Sequence, residues 1–204
     1  MPLSVKNLLQ SQNLQIKGLV KWGTPFEADY YGVYVVALSD DPDQNKKLLE
    51  RPTFSESKIQ TWINTATEMK IDGELPTIEK LKKRLTEFWF PDENIVYIGK
   101  AEKQKVEDRV SQFYSHKVGK RSPHKGGFWI KLLSNLSELN IYYSEIKDAP
   151  KVETTEKSLQ KYFMSNVSDE SLKNIRDKNL TLPFGNLKFG GKIKKHGISK
   201  QYKS

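Results

Sequence analysis

The chain has 204 residues, 36% of them hydrophobic and 11% aromatic, and its 34 Lys and Arg against 25 Asp and Glu give a formal net charge of +9. That apolar share suits one compact core rather than wholesale disorder, and the positive surplus points to a polyanionic partner, nucleic acid foremost. The absence of cysteine excludes disulfides, thiolate metal sites and cysteine nucleophiles; no run approaches the roughly 20 apolar residues that span a bilayer, and the first residues lack a signal peptide's apolar core, so a cytoplasmic protein without a membrane partner is expected.

Residues 1–29 read as an N-terminal extension anchored by Leu8, Leu9, Ile16, Leu19, Val20 and Trp22. Gly32–Leu38 is the clearest strand, β-branched and so uniformly apolar that it should lie centrally, covered on both faces. Residues 40–93 read as a helical insertion. Ile59, Trp62, Ile63 and Ala66 fall at helical spacing behind Ser57 as cap, and Asp72-Gly73 marks a turn. Thr77 then caps a second helix, with Glu79 in its first turn, an apolar stripe of Ile78, Leu81, Leu85, Phe88 and Trp89, and Pro91 as its stop.

Asn94–Ile98 is a second strand, ended by a Gly99-Lys100 turn into a helix over about Lys103–Ser115 that faces inward with Val106, Val110, Phe113 and Tyr114. A basic, glycine-rich loop covers Gly119–Gly127, and Trp129, Leu132, Leu133 and Leu136 suggest another helix. Asn140–Glu145 is a third strand. A helix follows from near Thr154, then a turn at Pro183-Phe184-Gly185-Asn186 and a basic C-terminal tail, residues 188–204. The pattern predicts one α/β (α+β) domain over residues 1–204, with a small central mixed or antiparallel sheet flanked by helices.

Gly32-Val33-Tyr34 on the first strand and Tyr97-Ile98-Gly99-Lys100 on the second resemble the two halves of the signature of the GIY-YIG nuclease superfamily. Arg109 lies on the following helix where that family places its arginine. Glu156, ahead of Leu159 and Lys161, is similar to its metal-binding glutamate, and Pro183-Phe184-Gly185-Asn186 to a Pro-x-x-Asn near its end. The order of these elements carries the resemblance, over Tyr31–Leu38 and Ile95–Asn186. It implies a divalent-metal-dependent endonuclease that cuts DNA, duplex or branched, with one Mg²⁺ (or Mn²⁺) held by Glu156.

The residue types suit that chemistry. Hydrolysis of a phosphodiester needs an activated water and a charge clamp on the phosphoryl oxygens. A tyrosine hydroxyl, Tyr34 or Tyr97, can take the water's proton if a cation favours its phenolate, and Lys100 is the expected cation. Arg109 can hold a phosphate bidentately, and Asn186 completes the expected site. Arg121, Lys125, Lys192, Lys194 and Lys195 are expected to add phosphate contacts alongside Lys100 and Arg109.

Two departures stand out. Some sixty residues separate Tyr34 from Tyr97 where the family usually has a short hairpin, so the insertion should project from the sheet edge. Its Lys80, Lys82, Lys83 and Arg84 either enter a DNA groove or form a solvated face. Phe113 sits one turn after Arg109, where many members have His or Tyr; Tyr114, His116 and His124 are the candidates to replace it. A single compact domain fits a restriction or defence enzyme, for which a two-fold target would favour a homodimer. The alternative is a nucleic-acid-binding module that has lost catalysis.

Overall fold

The computed structural model describes residues 2–45, 51–123 and 126–203; His124 and Lys125 of the expected site lie outside them. The architecture is α+β. A four-stranded antiparallel sheet has the order β1 (Gly18–Lys21), β5 (Asn140–Glu145), β2 (Gly32–Ala37), β4 (Ile95–Ala101). All six residues of β2 are buried, as its uninterrupted apolar run requires.

Alternation along the strands assigns the faces. Tyr34 lies opposite Gly99, and Val36 opposite Tyr97, so these share one face with α4 (Val106–Ser115), whose Phe113 meets both tyrosine rings. Val33 lies opposite Lys100 on the other face, against α5 (Lys151–Ser165).

The residues expected to form an N-terminal extension belong to this core. They supply β1 and α1 (Val5–Gln10), whose Val5, Leu8 and Leu9 are buried. The insertion does not project. Its helices α2 (Glu56–Thr65) and α3 (Ile78–Thr86) bury Ile59, Trp62, Leu81 and Leu85 in the same core. The large apolar stripe explains this, since fully burying each such side chain is worth about 1.5–3 kcal/mol. A short strand β3 (Lys70–Ile71) pairs with β8 (Ile198–Ser199), and the Trp62 indole donates to the Gln201 carbonyl at 2.8 Å.

Several boundaries differ from expectation. Ser55, not Ser57, caps α2, accepting from the Lys58 amide. Thr77 does cap α3, which ends at Thr86, so Phe88 and Trp89 are buried beyond it. Gly99 and Lys100 form no turn: β4 runs on to Ala101, because Lys100 and Ala101 pair with Val33 and Gly32. The helix expected around Trp129–Leu136 is two 3₁₀ segments, Phe128–Leu132 and Leu136–Glu138. Five consecutive buried residues in the first leave no polar face for an amphipathic α-helix. The helix expected near Thr154 begins at Lys151.

The basic C-terminal stretch, residues 188–203, is folded onto the core. It forms a hairpin of β6 (Lys188–Phe189) and β7 (Lys192–Ile193), then buries Lys194 and His196. Lys192 and Lys195 stay exposed.

Candidate active site at the edge of the sheet

Strand β4 borders the sheet, and the turn at 183–186 covers its outer side. Gly185 N donates to Val96 O at 2.8 Å. The Asn186 amide then acts as a strand partner: its Oδ1 accepts from Ile98 N at 2.9 Å and its Nδ2 donates to Ile98 O at 2.8 Å. Both polar functions of this buried side chain are taken up by the main chain, so Asn186 positions β4.

Lys194, expected to bind phosphate, is buried behind that turn. Its Nζ donates to Pro183 O at 2.9 Å and Phe184 O at 3.3 Å. Burial lowers its pKa to about 7, with Asp177 opposing. It braces the turn and cannot reach a ligand in the cleft.

Tyr97 stands in a cage of glycines. A Cβ on Gly99 would come within 2.7 Å of its ring, on Gly127 within 2.9 Å and on Gly185 within 3.1 Å. Gly127 also has φ +70°. Tyr34 crosses Gly99 from β2, its ring 5.9 Å from that of Tyr97, and the two hydroxyls share a hydrogen bond. That bond keeps the proton on Tyr34 and eases its loss from Tyr97. Phe113 closes the group, 5.3 Å from Tyr97 and 6.4 Å from Tyr34.

Burial is the first cause that raises the pKa of both tyrosines. Glu156 raises them further, and Arg109 is the cation that lowers them. Lys100, the expected partner of the phenolate, points from the opposite face of β4 toward acids: Glu102 at 2.9 Å, Glu153 at 3.6 Å and Glu156 at 4.0 Å.

Glu156 is therefore the junction between the two faces. Its side chain is 17% exposed, and burial raises its pKa to about 7, opposed by Lys100 and then reinforced by Glu153. Gln160, one turn on, donates to Glu156 Oε1 at 3.5 Å. Arg109 is half-buried on α4, with its guanidinium 3.5 Å from both Gln112 Oε1 and Pro123 O. Neither contact is short, so its fork can turn to a phosphate.

Two separate clefts are lined by these groups. One, of about 310 Å³, is lined by Tyr97, Glu156, Gln160 and Tyr202 among others. The other, of about 430 Å³, is lined by Lys100, Glu102, Arg109 and Gln112 among others.

Tyr34, Tyr97, Lys100, Arg109 and Glu156 thus come together from β2, β4, α4 and α5. Lys194 does not join them, and Arg121, Lys192 and Lys195 lie on the exposed surface. Of the candidates to replace Phe113, two turn elsewhere: Tyr114 packs on Trp22 at 5.1 Å, and His116 is buried with main-chain partners at Ser122 and Lys120.

Glu102, Glu153 and Gln160 were not singled out from the sequence. Glu153, Glu156 and Gln160 fall at i, i+3 and i+7 on one helix, and that spacing is the signal that could have found them.

Among the described residues no group of three or more His, Asp and Glu side chains gathers as a metal site. The half-buried carboxylate of Glu156, in the lining of a cleft, fits Mg²⁺, which keeps most of its waters and takes few protein ligands. No family model matches the chain, and neither a curated protein nor a solved structure matches it. Among the described residues no helix is long and apolar enough to cross a membrane.

Proposed function

We propose that this protein is a divalent-metal-dependent endonuclease of the GIY-YIG type that hydrolyses phosphodiester bonds in DNA, in a restriction or defence setting. One observation carries the reading. The hydroxyls of Tyr34 and Tyr97 share a hydrogen bond at a point where Arg109 and Glu156 both act on them, although these four residues are spread over more than half the chain.

Arg109 would hold the non-bridging oxygens of the scissile phosphate, where a bidentate guanidinium matches the geometry better than an ammonium. With the phosphate seated, Tyr97 would take a proton from water as its phenolate, after its own phenolic proton has passed to solvent. Arg109 favours its ionised form, and so does the hydrogen bond with Tyr34. Lys100 keeps Glu156 and its acidic neighbours in place and lowers the proton affinity of Glu156. Phe113 and the glycine cage exclude bulk water, which strengthens these charge interactions. Glu156 would hold Mg²⁺ or Mn²⁺, which when bound polarises a phosphoryl oxygen and makes its water more acidic.

A second observation favours the alternative, a binding module without catalysis. Both tyrosines are buried, and as they stand each holds its proton well above neutral pH.

The deciding experiment is cleavage of supercoiled plasmid by the purified protein with Mg²⁺ or Mn²⁺ and with EDTA, beside Glu156→Gln and Arg109→Ala. The nuclease reading expects metal-dependent nicking or linearisation, lost in both variants. Salt-sensitive binding without cleavage of plasmid, branched DNA or RNA would establish the binding module instead.

A further inference from the structure

The cleft of about 310 Å³ beside Tyr97 is larger and less polar than a phosphate contact requires. It leads away from Glu156 between α5 and the C-terminal hairpin. Gly185 and Gly190 add no side chain to its wall. Tyr202 and Phe189 line it with two half-buried rings, and the Tyr202 ring is steadied edge-on by Phe128 at 5.5 Å. Gln160, 5% exposed, brings an amide into the cleft, and exposed Lys157 and Lys188 stand at its rim.

Aromatic rings, one amide and flanking cations are the features that recognise a nucleobase carried on a phosphate backbone. Rings take the base's face whatever its identity, an amide reads a donor or acceptor on its edge, and lysines take the phosphates.

We infer that this cleft receives one unstacked nucleobase next to the scissile phosphate, so that the substrate is nucleic acid with an unpaired nucleotide at the cut. The inference rests on the nuclease reading for the position of the phosphate, but the base pocket stands on its own lining. A base inside a duplex cannot enter it without leaving the stack, at a cost that single-stranded, frayed or mismatched positions largely avoid. Tyr202 and Phe189 stack on the base, and Gln160 contacts its edge while it steadies Glu156.

The test measures binding without cleavage, in EDTA at fixed salt. The probes are a short single-stranded oligodeoxynucleotide, an abasic backbone of the same length, and dAMP as competitor. Expected is roughly tenfold tighter binding of the strand that carries bases. That advantage disappears in Tyr202→Ala and in Phe189→Ala, and survives in Tyr202→Phe, while affinity for the abasic backbone is unchanged in all three. Equal affinity for the two strands overturns the inference. So does displacement of the oligonucleotide by dAMP at comparable concentration, since the pocket would then serve free nucleotides.

The plasmid assay separates this inference from the reading beneath it. Metal-dependent nicking without base-dependent binding removes the pocket alone. Base-dependent binding in a protein that cuts nothing removes the nuclease and leaves the pocket.

Discussion

Asn186 and Ile98 exchange two hydrogen bonds, the side-chain amide of one with the main chain of the other, at 2.9 and 2.8 Å. An amide matches the donor and acceptor spacing of a neighbouring strand, so one residue closes the outer edge of β4 next to Tyr97. Asn186→Ala leaves the buried N–H and C=O of Ile98 without these partners. The expected loss is about 2–4 kcal/mol of unfolding free energy, read from urea denaturation. Asn186→Asp should be worse at neutral pH, because a carboxylate cannot donate to Ile98 O and is itself buried. An unchanged urea midpoint in Asn186→Ala would show that the clasp contributes nothing to the fold.

Gly99 admits the Tyr34 ring across β4. A Cβ there would lie 2.4 Å from Tyr34 Cζ and 2.7 Å from Tyr97 Cε1. Gly99→Ala must therefore push both rings within a core already closed by Phe113. The expected cost is about 1–3 kcal/mol. Cleavage should fall by more than this loss of folded protein explains, because the shared hydroxyl contact is displaced. Thermal melts beside nicking rates on the folded fraction would check it. Equal activity per folded molecule would show that the tyrosine contact is not needed.

These two positions also show how much of the fold and site was legible in the sequence. The strand at Gly32 was readable from its β-branched, uniformly apolar run, and the helices around Trp62 and Leu81 from their periodicity. Tyr34, Tyr97, Arg109 and Glu156 were readable as an ordered pattern, and they meet in space. Gly99 was misread as a turn because a glycine that admits a ring and one that bends the chain look alike in one dimension. Lys194 was misread as a surface cation. Nothing local distinguishes it from Lys192 or Lys195, and its burial follows from the turn at Pro183, more than ten residues away, whose carbonyls it satisfies. Asn186 was recognised as part of the pattern, but its strand-like partner on β4 depends on tertiary placement.

Lys194 carries a pH signature. Its folded pKa is lowered to about 7 by burial, against 10.5 for the free side chain. Between these values the unfolded chain binds more protons than the folded one, so stability rises with pH across that window. Below it both states are charged, and the burial penalty is fully present. Wild type should gain about 2 kcal/mol from this residue between about pH 7 and pH 9. Lys131, lowered to about 8 by burial beneath the end of α4, contributes to the same rise but is common to both proteins. Lys194→Met should therefore flatten the slope without abolishing it. Parallel slopes in urea titrations at the two pH values would place Lys194 in solvent in the folded protein.

Arg109 separates binding from chemistry. Among the described residues its guanidinium makes long contacts, to Gln112 and Pro123 at 3.5 Å, yet it is the cation that favours ionisation of both tyrosines. Arg109→Lys keeps one charge near the site but loses the fork. DNA affinity at fixed salt should fall only a few-fold, as expected when one phosphate contact is weakened rather than removed. Single-turnover cleavage should fall by about 100-fold or more, because the paired donors to the phosphoryl oxygens and the charge aimed at Tyr97 are lost together. Arg109→Ala should bind still more weakly and cut no faster than Arg109→Lys. If Arg109→Lys instead loses affinity and rate in equal measure, the guanidinium acts as a phosphate anchor in the ground state. The proton transfer assigned to Tyr97 would then need another cation beside it.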